Sequence, residues 1–364
     1  MNSLSMGKYR PAVILTLALT VFLASCKGTS DDPKWVVSTL AGGGTSEEFN
    51  GPVGVAVDSS GNVYVADTWN HRIRKIVVAN DGTATVTTLA GTGSSGFANT
   101  GTDTEDNPVE AQFSFPSGMA VDSSGNLYVA DTFNNHIRKI TSGGDVTSLA
   151  GSRIPGFANG AGLTAAQFNS PEGVAVDSSG NIYVADTNNH RIRKIAFTTA
   201  NNVVTATVST IAGGAWGYKD GTAAQFDSPA GVAVDSSGNL YVADTNNHRI
   251  RKIAFTTANN VVTATVSTIA GTGTAGTADG AGLTAAQFDS PAGVAVDSSG
   301  NLYVAGPLSH TIRKVVISTG AVSTLAGGGT SEEFNGPYGV AVDSSGNIYV
   351  ADQVNNRIRK IEYK

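Results

Sequence analysis

Residues 52–67 read PVGVAVDSSGNVYVAD, and this stretch decides the fold. Two apolar runs, residues 54–57 and 62–66, flank the segment DSSGN. Aspartate and asparagine can bond to nearby backbone groups, and glycine adopts left-handed conformations at no steric cost. The stretch therefore predicts two β-strands joined by a tight turn.

The same pattern recurs along the chain. Its first aspartate falls at Asp58, Asp122, Asp177, Asp235, Asp297 and Asp343. Each copy runs on through a loop to IRKI or a close variant, and most copies continue to VSTLAG, which predicts a third and a fourth strand. The first two strands have no polar face, so both faces of the sheet must be covered. Radial packing of four-stranded antiparallel blades covers them, which predicts an all-β, six-bladed β-propeller.

The two ends of the repeat region complete one blade. Residues 35–41 (WVVSTLA) form a fourth strand with no first three before it, and residues 357–361 form a third strand with no fourth after it. We therefore expect the N-terminal strand to complete the last blade and close the ring. The propeller should span residues 35–364.

The loop after the second strand carries Asn70-His71, Asn189-His190 and Asn247-His248, each followed by Arg-Ile. In these residues the chain resembles the NHL-repeat family, with isoleucine after one extra residue in place of the family's leucine. The resemblance covers residues 35–364 and implies the propeller fold. It also implies two activities of family branches, a lyase with histidine ligands near the axis and RNA binding. No histidine lies on a first strand here, so the lyase chemistry is not supported.

The N-terminus predicts export. Lys8 and Arg10 precede an apolar stretch at residues 12–24, too short for a membrane span and typical of a signal peptide. The stretch ends Leu-Ala-Ser-Cys26, which resembles the lipobox of bacterial lipoproteins. We expect a signal peptide at residues 1–25, a lipid on Cys26 that anchors the protein to the bacterial cell envelope, and a polar tether at residues 26–34.

Charge argues against nucleic acid as a partner. Removal of residues 1–25 takes away two basic residues and no acids, so the net charge falls from −6 to −8. Nucleic acids and anionic bilayers both require a basic face. Most basic residues belong to the third-strand motif, and no basic patch interleaved with aromatic residues appears. We therefore expect membrane contact only through the lipid.

Most histidines and aspartates of the repeats, which could in principle bind a metal or act in catalysis, have a structural explanation. The histidines sit one per loop in five blades, which favours hydrogen bonding between loops over a shared metal site. The first aspartate of each repeat should cap its own DSSGN turn. The aspartate that ends the second strand should pair with nearby loop donors, except in the fifth blade, where Gly306-Pro307 replaces the Asp-Thr pair. The role of that substitution stays open.

The loops that lead into each first strand vary most, and they are acidic. They carry Glu47, Glu48, Asp103, Glu105, Asp106, Glu110, Asp220, Asp227, Asp279, Asp289, Glu332 and Glu333. Only Arg153 and Lys219 oppose them there. Two interpretations remain open: solvated loops that keep the protein soluble, or an acidic face for a cationic ligand, a protein or Ca²⁺. No other cofactor is evident.

The residue after each motif proline should enter the propeller beside its axis. These residues are Val53, Ser117, Glu172, Ala230, Ala292 and Tyr338. Glu172 and Tyr338 differ most from the rest. In the loop after the second strand, Trp69 and Phe133 are either exposed binding anchors or packed beneath neighbouring loops. The candidate ligand-binding residues are Tyr338, Glu172, Trp69, Phe133 and Ser117.

Three functions fit these observations. The first is a non-catalytic module that binds a protein, peptide or glycan on the loop-rich face. The second is a metal-dependent lyase or hydrolase with an axial site, weakened by the lack of clustered axial histidine or glutamate. The third is a structural or adhesion component of the envelope. We assign no catalytic residue, and the metal, the ligand and the oligomeric state stay open.

Overall fold

Six antiparallel sheets arranged in a ring make up the body of the protein, which confirms the predicted propeller. The computed structural model describes residues 34–44, 49–102, 108–200, 203–259, 261–328 and 333–364. The predicted signal peptide, Cys26 and all but the last residue of the predicted tether lie outside these residues. No helix in the described ranges is both long and apolar enough to cross a membrane.

Each blade has four main strands from the axis outward, and in blades I to V they follow chain order. Blade I contains β2 (Val55–Val57), β3 (Val63–Asp67), β4 (Arg72–Val78) and β5 (Ala84–Ala90). Blade II contains β8 (Pro116–Val121), β9 (Leu127–Asp131), β10 (His136–Ile140) and β11 (Val146–Gly151). Blade III contains β13 (Pro171–Val176), β14 (Ile182–Asp186), β15 (Arg191–Ala200) and β16 (Val203–Gly213).

The second half of the ring repeats this plan. Blade IV contains β17 (Pro229–Val234), β18 (Leu240–Asp244), β19 (Arg249–Ala258) and β20 (Val261–Ala270). Blade V contains β21 (Val294–Val296), β22 (Asn301–Gly306), β23 (Thr311–Val316) and β24 (Val322–Gly327). Blade VI contains β25 (Pro337–Val342), β26 (Ile348–Asp352), β27 (Arg357–Tyr363) and the N-terminal strand β1 (Trp35–Gly42).

Shorter elements lie between and within the blades. A small hairpin of β6 (Gly101–Thr102) and β7 (Pro108–Val109) precedes blade II, and β12 (Gly160–Ala161) pairs with β16 at the edge of blade III. Four blades have a single 3-10 turn after the second strand, at Thr68–Asn70, Thr132–Asn134, Thr187–Asn189 and Thr245–Asn247.

The ring closes as predicted. Strand β1 pairs antiparallel with β27, with Trp35 opposite Tyr363 and Val37 opposite Ile361. Both strands run slightly further than the sequence indicated, by one residue in β1 and two in β27. The N-terminal strand therefore supplies the outer edge of blade VI.

The core lies between neighbouring blades. The second strand of each blade is buried along nearly all of its length. In one cluster, Tyr64 and Ile73 of blade I pack with Leu127 and Val129 of blade II. Five other clusters repeat the arrangement around the ring. Burial of this apolar surface, rather than any single bond, holds the blades together.

The glycine of the Pro-x-Gly motif allows the blades to meet at the axis. A Cβ atom on Gly54 would collide with the carbonyl oxygen of Ser117, and one on Gly173 would collide with that of Ala230. The same conflict recurs around the ring between each motif glycine and the next blade. Only glycine permits this approach, which keeps the axial channel narrow.

The first aspartate of each repeat caps its turn, as the sequence predicted. Asp58 accepts the backbone N–H groups of Ser60 and Asn62, both at 2.9 Å. Its other oxygen accepts Nδ2 of Asn62 at 2.8 Å and the hydroxyl of Tyr64 at 3.0 Å. The other five aspartates repeat these bonds. They therefore do not form a free ring of carboxylates.

The second aspartate set forms buried ion pairs with the third strand. Asp186 accepts the N–H of Asn169 at 2.8 Å, Nδ2 of Asn189 at 2.9 Å and Nη1 of Arg193 at 2.6 Å. The loop donors were expected, but the buried arginine was not. In blade V, where glycine stands at the aspartate position, Arg313 instead pairs with Asp279 of the preceding loop at 2.6 Å. The Gly306 substitution therefore leaves the arginine with a carboxylate partner.

A ring of hydrogen bonds joins each blade to the next. Nδ1 of His71 in blade I accepts the N–H of Phe115, which leads into blade II, at 3.2 Å. The equivalent pairs are Asn135–Ser170, His190–Ser228, His248–Ser290, His310–Gly336 and Asn356–Gly51. Burial lowers the pKa of His71, which favours the neutral ring that can accept this bond. We call these six bonds the inter-blade latches.

Four of the five histidines are therefore latch residues. The fifth, His136, is buried and its Nδ1 lies 2.8 Å from the carbonyl oxygen of Asn134. The expectation of hydrogen bonding between loops is confirmed for the latch histidines.

Candidate functional site

The six residues that follow the motif prolines surround one end of the axial channel. We call Val53, Ser117, Glu172, Ala230, Ala292 and Tyr338 the channel mouth. The cavity they line with neighbouring glycines and apolar residues has a volume of about 60 Å³. The sequence placed these residues correctly, and the channel is narrow.

The two unusual residues of the channel mouth meet. The hydroxyl of Tyr338 donates a hydrogen bond of 2.8 Å to Oε2 of Glu172. Tyr338 belongs to blade VI and Glu172 to blade III, which are three blades apart in a ring of six. The bond therefore crosses the channel, a contact that the linear sequence did not indicate.

Burial sets the chemistry of this pair. Desolvation raises the pKa of Glu172, and the hydrogen bond from Tyr338 opposes that rise. Desolvation, followed by the nearby Glu172, raises the pKa of Tyr338 well above its ordinary value. Tyr338 therefore stays a donor at neutral pH. Among the described residues, Tyr338 alone donates a hydrogen bond to the Glu172 side chain. A carboxylate has about four acceptor sites, so most of those on Glu172 are unused.

Aromatic residues cover the loops beside blade I and blade II. Trp69 is 58% exposed and Phe133 is 63% exposed, so these residues are not packed beneath neighbouring loops. Phe115 lies between them, with ring centroids 5.5 Å from Trp69 and 4.5 Å from Phe133. Phe115 was not singled out from the sequence, because its contact with both rings depends on the fold. The signal that could have found it is that the other five blades have glycine or serine at this position.

The apolar character extends to four consecutive blades. Leu308 of blade V and Val354 of blade VI occupy the loop position of Trp69 and Phe133, and they are 64% and 59% exposed. We call Leu308, Val354, Trp69 and Phe133 the apolar arc. Blades III and IV have Asn188 and Asn246 there, bonded to Ser170 and Ser228. One side of the loop face is therefore apolar and the other polar.

Several loop acids are engaged in structural bonds, which weakens the interpretation of an acidic binding face. Asp220 pairs with Arg251 at 2.6 Å, and Asp279 pairs with Arg313 at the same distance. Asp227 accepts Nδ2 of Asn246 at 3.2 Å. The acids Glu47, Glu48, Asp103, Glu105, Asp106 and Glu332 lie outside the described residues. Within the described ranges, no three histidine, cysteine, aspartate or glutamate side chains group in a way that could hold a metal ion.

The model of the NHL repeat family matches five segments of the chain. They are residues 49–76, 113–140, 168–195, 226–253 and 334–361. Each runs from the loop before a first strand to the third strand of blades I, II, III, IV and VI. Blade V, which has Gly306 in place of the buried aspartate, is the blade without a matched repeat.

Two curated proteins share this region. NHL repeat-containing protein 2 of Bos taurus is 30% identical over 310 residues, which cover 77% of this chain and 40% of that protein. Protein SUPPRESSOR OF QUENCHING 1 of Arabidopsis thaliana is 29% identical over 292 residues, which cover 76% of this chain and 26% of that protein. The chain thus spans less than half the length of either relative.

Solved structures share the fold. An auxiliary nutrient binding protein from Bacteroides thetaiotaomicron superposes with a TM-score of 0.63 at 19% identity, over 91% of this chain and 77% of that one. At this identity the likeness concerns architecture alone. Taken with the matched repeats and the closed ring of six sheets, it leads to one conclusion: the chain carries five NHL repeats in a six-bladed β-propeller.

Proposed function

We propose that this propeller is a binding module displayed outside the cytoplasm, which takes a protein, peptide or glycan on the loop face around the channel mouth. The observation that carries the proposal is the apolar arc. Four large apolar side chains, each 58% to 64% exposed, stand at one repeat position in consecutive blades. Exposed apolar patches rimmed by polar residues are typical of interaction surfaces.

The blades themselves show that the fold does not require these side chains. Asn188 and Asn246 occupy the same position in blades III and IV, where the turns keep the same 3-10 geometry as at Trp69 and Phe133. Aromatic residues are enriched among the residues that dominate binding energy at interfaces. Trp69 and Phe133 both contact the ring of Phe115, and they would serve as anchors for a ligand.

The proposed location depends on the N-terminal segment. We propose that Cys26 carries a lipid and that residues 26–34 tether the propeller to the cell envelope. An auxiliary nutrient binding protein of Bacteroides thetaiotaomicron shares the fold, and this supports a binding role for the propeller. A Cys26→Ser chain should appear in the soluble fraction rather than with membranes, and retention of that variant in membranes would contradict the anchor.

The binding site is tested with substitutions taken from the chain's own repeats. A variant with Trp69→Asn, Phe133→Asn, Glu172→Ala and Tyr338→Val places at each position a residue found there in another blade. We expect the wild-type chain to bind components of a peptide and glycan array and this variant to lose them.

A matched control removes a similar apolar surface elsewhere. Val204 and Val262, both 64% exposed, lie on the hairpins between the third and fourth strands of blades III and IV. Val204→Asn with Val262→Asn should leave array binding unchanged. Loss of the same ligands in the control, or their retention by the first variant, would place binding elsewhere.

A further inference from the structure

The channel mouth holds one carboxyl group and no basic side chain. Glu172 is the ionisable acid in the lining of this cavity, whose remaining residues are glycine, alanine, valine, methionine, Ser117 and Tyr338. No lysine, arginine or histidine lies among these described lining residues. Because the lining is largely apolar, a charge that enters the cavity interacts with Glu172 more strongly than it would in water.

Two polar groups of the cavity have unused hydrogen-bonding capacity. The Glu172 carboxylate receives one hydrogen bond, from Tyr338. Ser117 in the adjacent blade II is 7% exposed, and its hydroxyl makes no hydrogen bond to the described residues. Both groups line the cavity, so their free sites are open to a ligand or to water that enters it.

The size of the cavity restricts that ligand. The cavity volume is about 60 Å³, and one water needs about 10–15 Å³. The cavity thus has room for a group as large as a few waters. A primary ammonium group fits, since it is compact and donates three hydrogen bonds.

We propose that the channel mouth binds a primary ammonium group, held by the carboxylate of Glu172 and the hydroxyl of Ser117. Tyr338 keeps its hydrogen bond to the same carboxylate and holds it in place across the channel. The inference rests on the proposed binding function and names its ligand class, a peptide with a lysine side chain or an amino sugar. Both sources share the ammonium group.

The surroundings suit the rest of such a ligand. Phe115 stands two residues before Ser117, and its ring contacts Phe133. An apolar stem or sugar ring that leaves the channel on the side of blade II would meet these aromatic faces. Aromatic rings bind both alkyl chains and the apolar faces of sugars through their large flat surfaces.

Calorimetry on the full chain tests the inference with two pairs of probes. Nα-acetyl-lysine amide is compared with its Nε-acetylated form, and glucosamine is compared with N-acetylglucosamine. We expect one or both amines to bind and their neutral counterparts not to bind. Preference for the lysine derivative would indicate a peptide ligand, and preference for glucosamine would indicate a glycan.

Two variants assign the bonds. Glu172→Gln keeps the shape of the side chain and should weaken amine binding by at least about tenfold, since a bond to a charged group is lost. Ser117→Ala, which copies Ala230 and Ala292, should weaken it by about threefold to tenfold. In the wild-type chain, affinity should fall as the pH is lowered through the raised pKa of Glu172, and Glu172→Gln should show no such fall.

The outcomes separate the inference from the proposed function. Equal amine affinity in wild type and Glu172→Gln, or equal affinity for amines and neutral probes, would overturn the inference. Ca²⁺ binding that depends on Glu172 without amine binding would overturn it too. If no amine binds while a neutral ligand is captured through Trp69 and Phe133, the inference fails and the binding function stands. If no array ligand is captured and neither amine binds in calorimetry, both fail.

Discussion

Blade III holds two carboxylates in apolar surroundings, and they differ in how well they are satisfied. Asp186 receives bonds from a backbone N–H, an asparagine amide and an arginine. Glu172, at the start of the same blade, receives one bond from a tyrosine on the far side of the ring. Asp186 is fully buried and fully paired and serves the framework, whereas Glu172 is partly exposed to the channel and keeps acceptor sites for a ligand.

The largest expected effect is the loss of stability when Asp186, the fully paired carboxylate, is removed. Asp186→Gly, which copies Gly306 of blade V, would leave Arg193 as a buried charge without a carboxylate. Removing one partner of a buried ion pair costs about 3–5 kcal/mol. We expect the free energy of unfolding to fall by about that amount in urea denaturation, with the ligand site unaltered in the fraction that remains folded.

Blade IV supplies the control for this experiment. Arg251 pairs with Asp244 at 2.5 Å and also with Asp220 at 2.6 Å, so Asp244→Gly leaves it one carboxylate. The loss of unfolding free energy should therefore be smaller than for Asp186→Gly. Equal losses in the two blades would show that the aspartate acts through its backbone bonds and not through the arginine charge.

The inter-blade latches give a second framework test, of intermediate size. Because burial lowers the pKa of His71 below its unfolded value of about 6.5, its contribution to stability is complete above that pH and is lost as the pH falls below it. His71→Asn copies Asn135 and Asn356, which form the same latch without titrating. Its unfolding free energy should therefore fall less than that of the wild type between pH 7.5 and pH 5.

Thermal unfolding followed across this pH range checks the latch prediction. The two chains differ only at position 71, so the comparison isolates this residue. Identical pH profiles for the two chains would mean that the His71 bond adds nothing to the contact between blades I and II.

The contribution of the channel mouth to stability should change with pH in the direction opposite to that of the His71 latch. The pKa of Glu172 is raised, so the folded protein loses stability as the pH rises above the unfolded value of about 4.3 and the carboxyl ionises. Glu172→Gln removes this cost while its amide oxygen can still accept the Tyr338 hydroxyl. We expect equal or greater stability of the variant at pH 7. A loss of several kcal/mol in denaturant unfolding would assign Glu172 to the framework.

The smallest effect on stability is expected at the apolar arc. Phe133→Asn exchanges an exposed side chain for the residue found in blades III and IV, so the unfolding free energy should change by no more than about 0.5 kcal/mol. Ligand capture should fall at the same time. A variant that unfolds markedly earlier would show that the stacking of Phe133 on Phe115 stabilises the fold.

The sequence predicted the fold in detail because each blade carries its own evidence. Strand order, turn caps and ring closure follow from residues close together in the chain, such as Asp58 with Asn62 and Tyr64. Histidine roles also followed, since one histidine per loop cannot converge on a metal. These features depend on local pattern and on repetition, both of which are visible in one dimension.

The site was only partly predictable. Glu172 and Tyr338 stood out as exceptions to the repeat, but their contact joins residues separated by 166 positions and depends on ring geometry. The apolar arc likewise appears only when blades V, VI, I and II are seen as neighbours. The buried ion pair between Asp186 and Arg193 was not predicted. The third-strand motif Arg-x-Arg does not show which of its two arginines points into the core.

The pairing of β1 with β27 also determines when the protein can finish folding. The first strand of the propeller has its partner more than 300 residues later, so it waits unpaired until blade VI has been made. Contacts this distant in sequence form slowly, and an unpaired strand is prone to aggregate. Assembly of the ring therefore ends at its N-terminal strand.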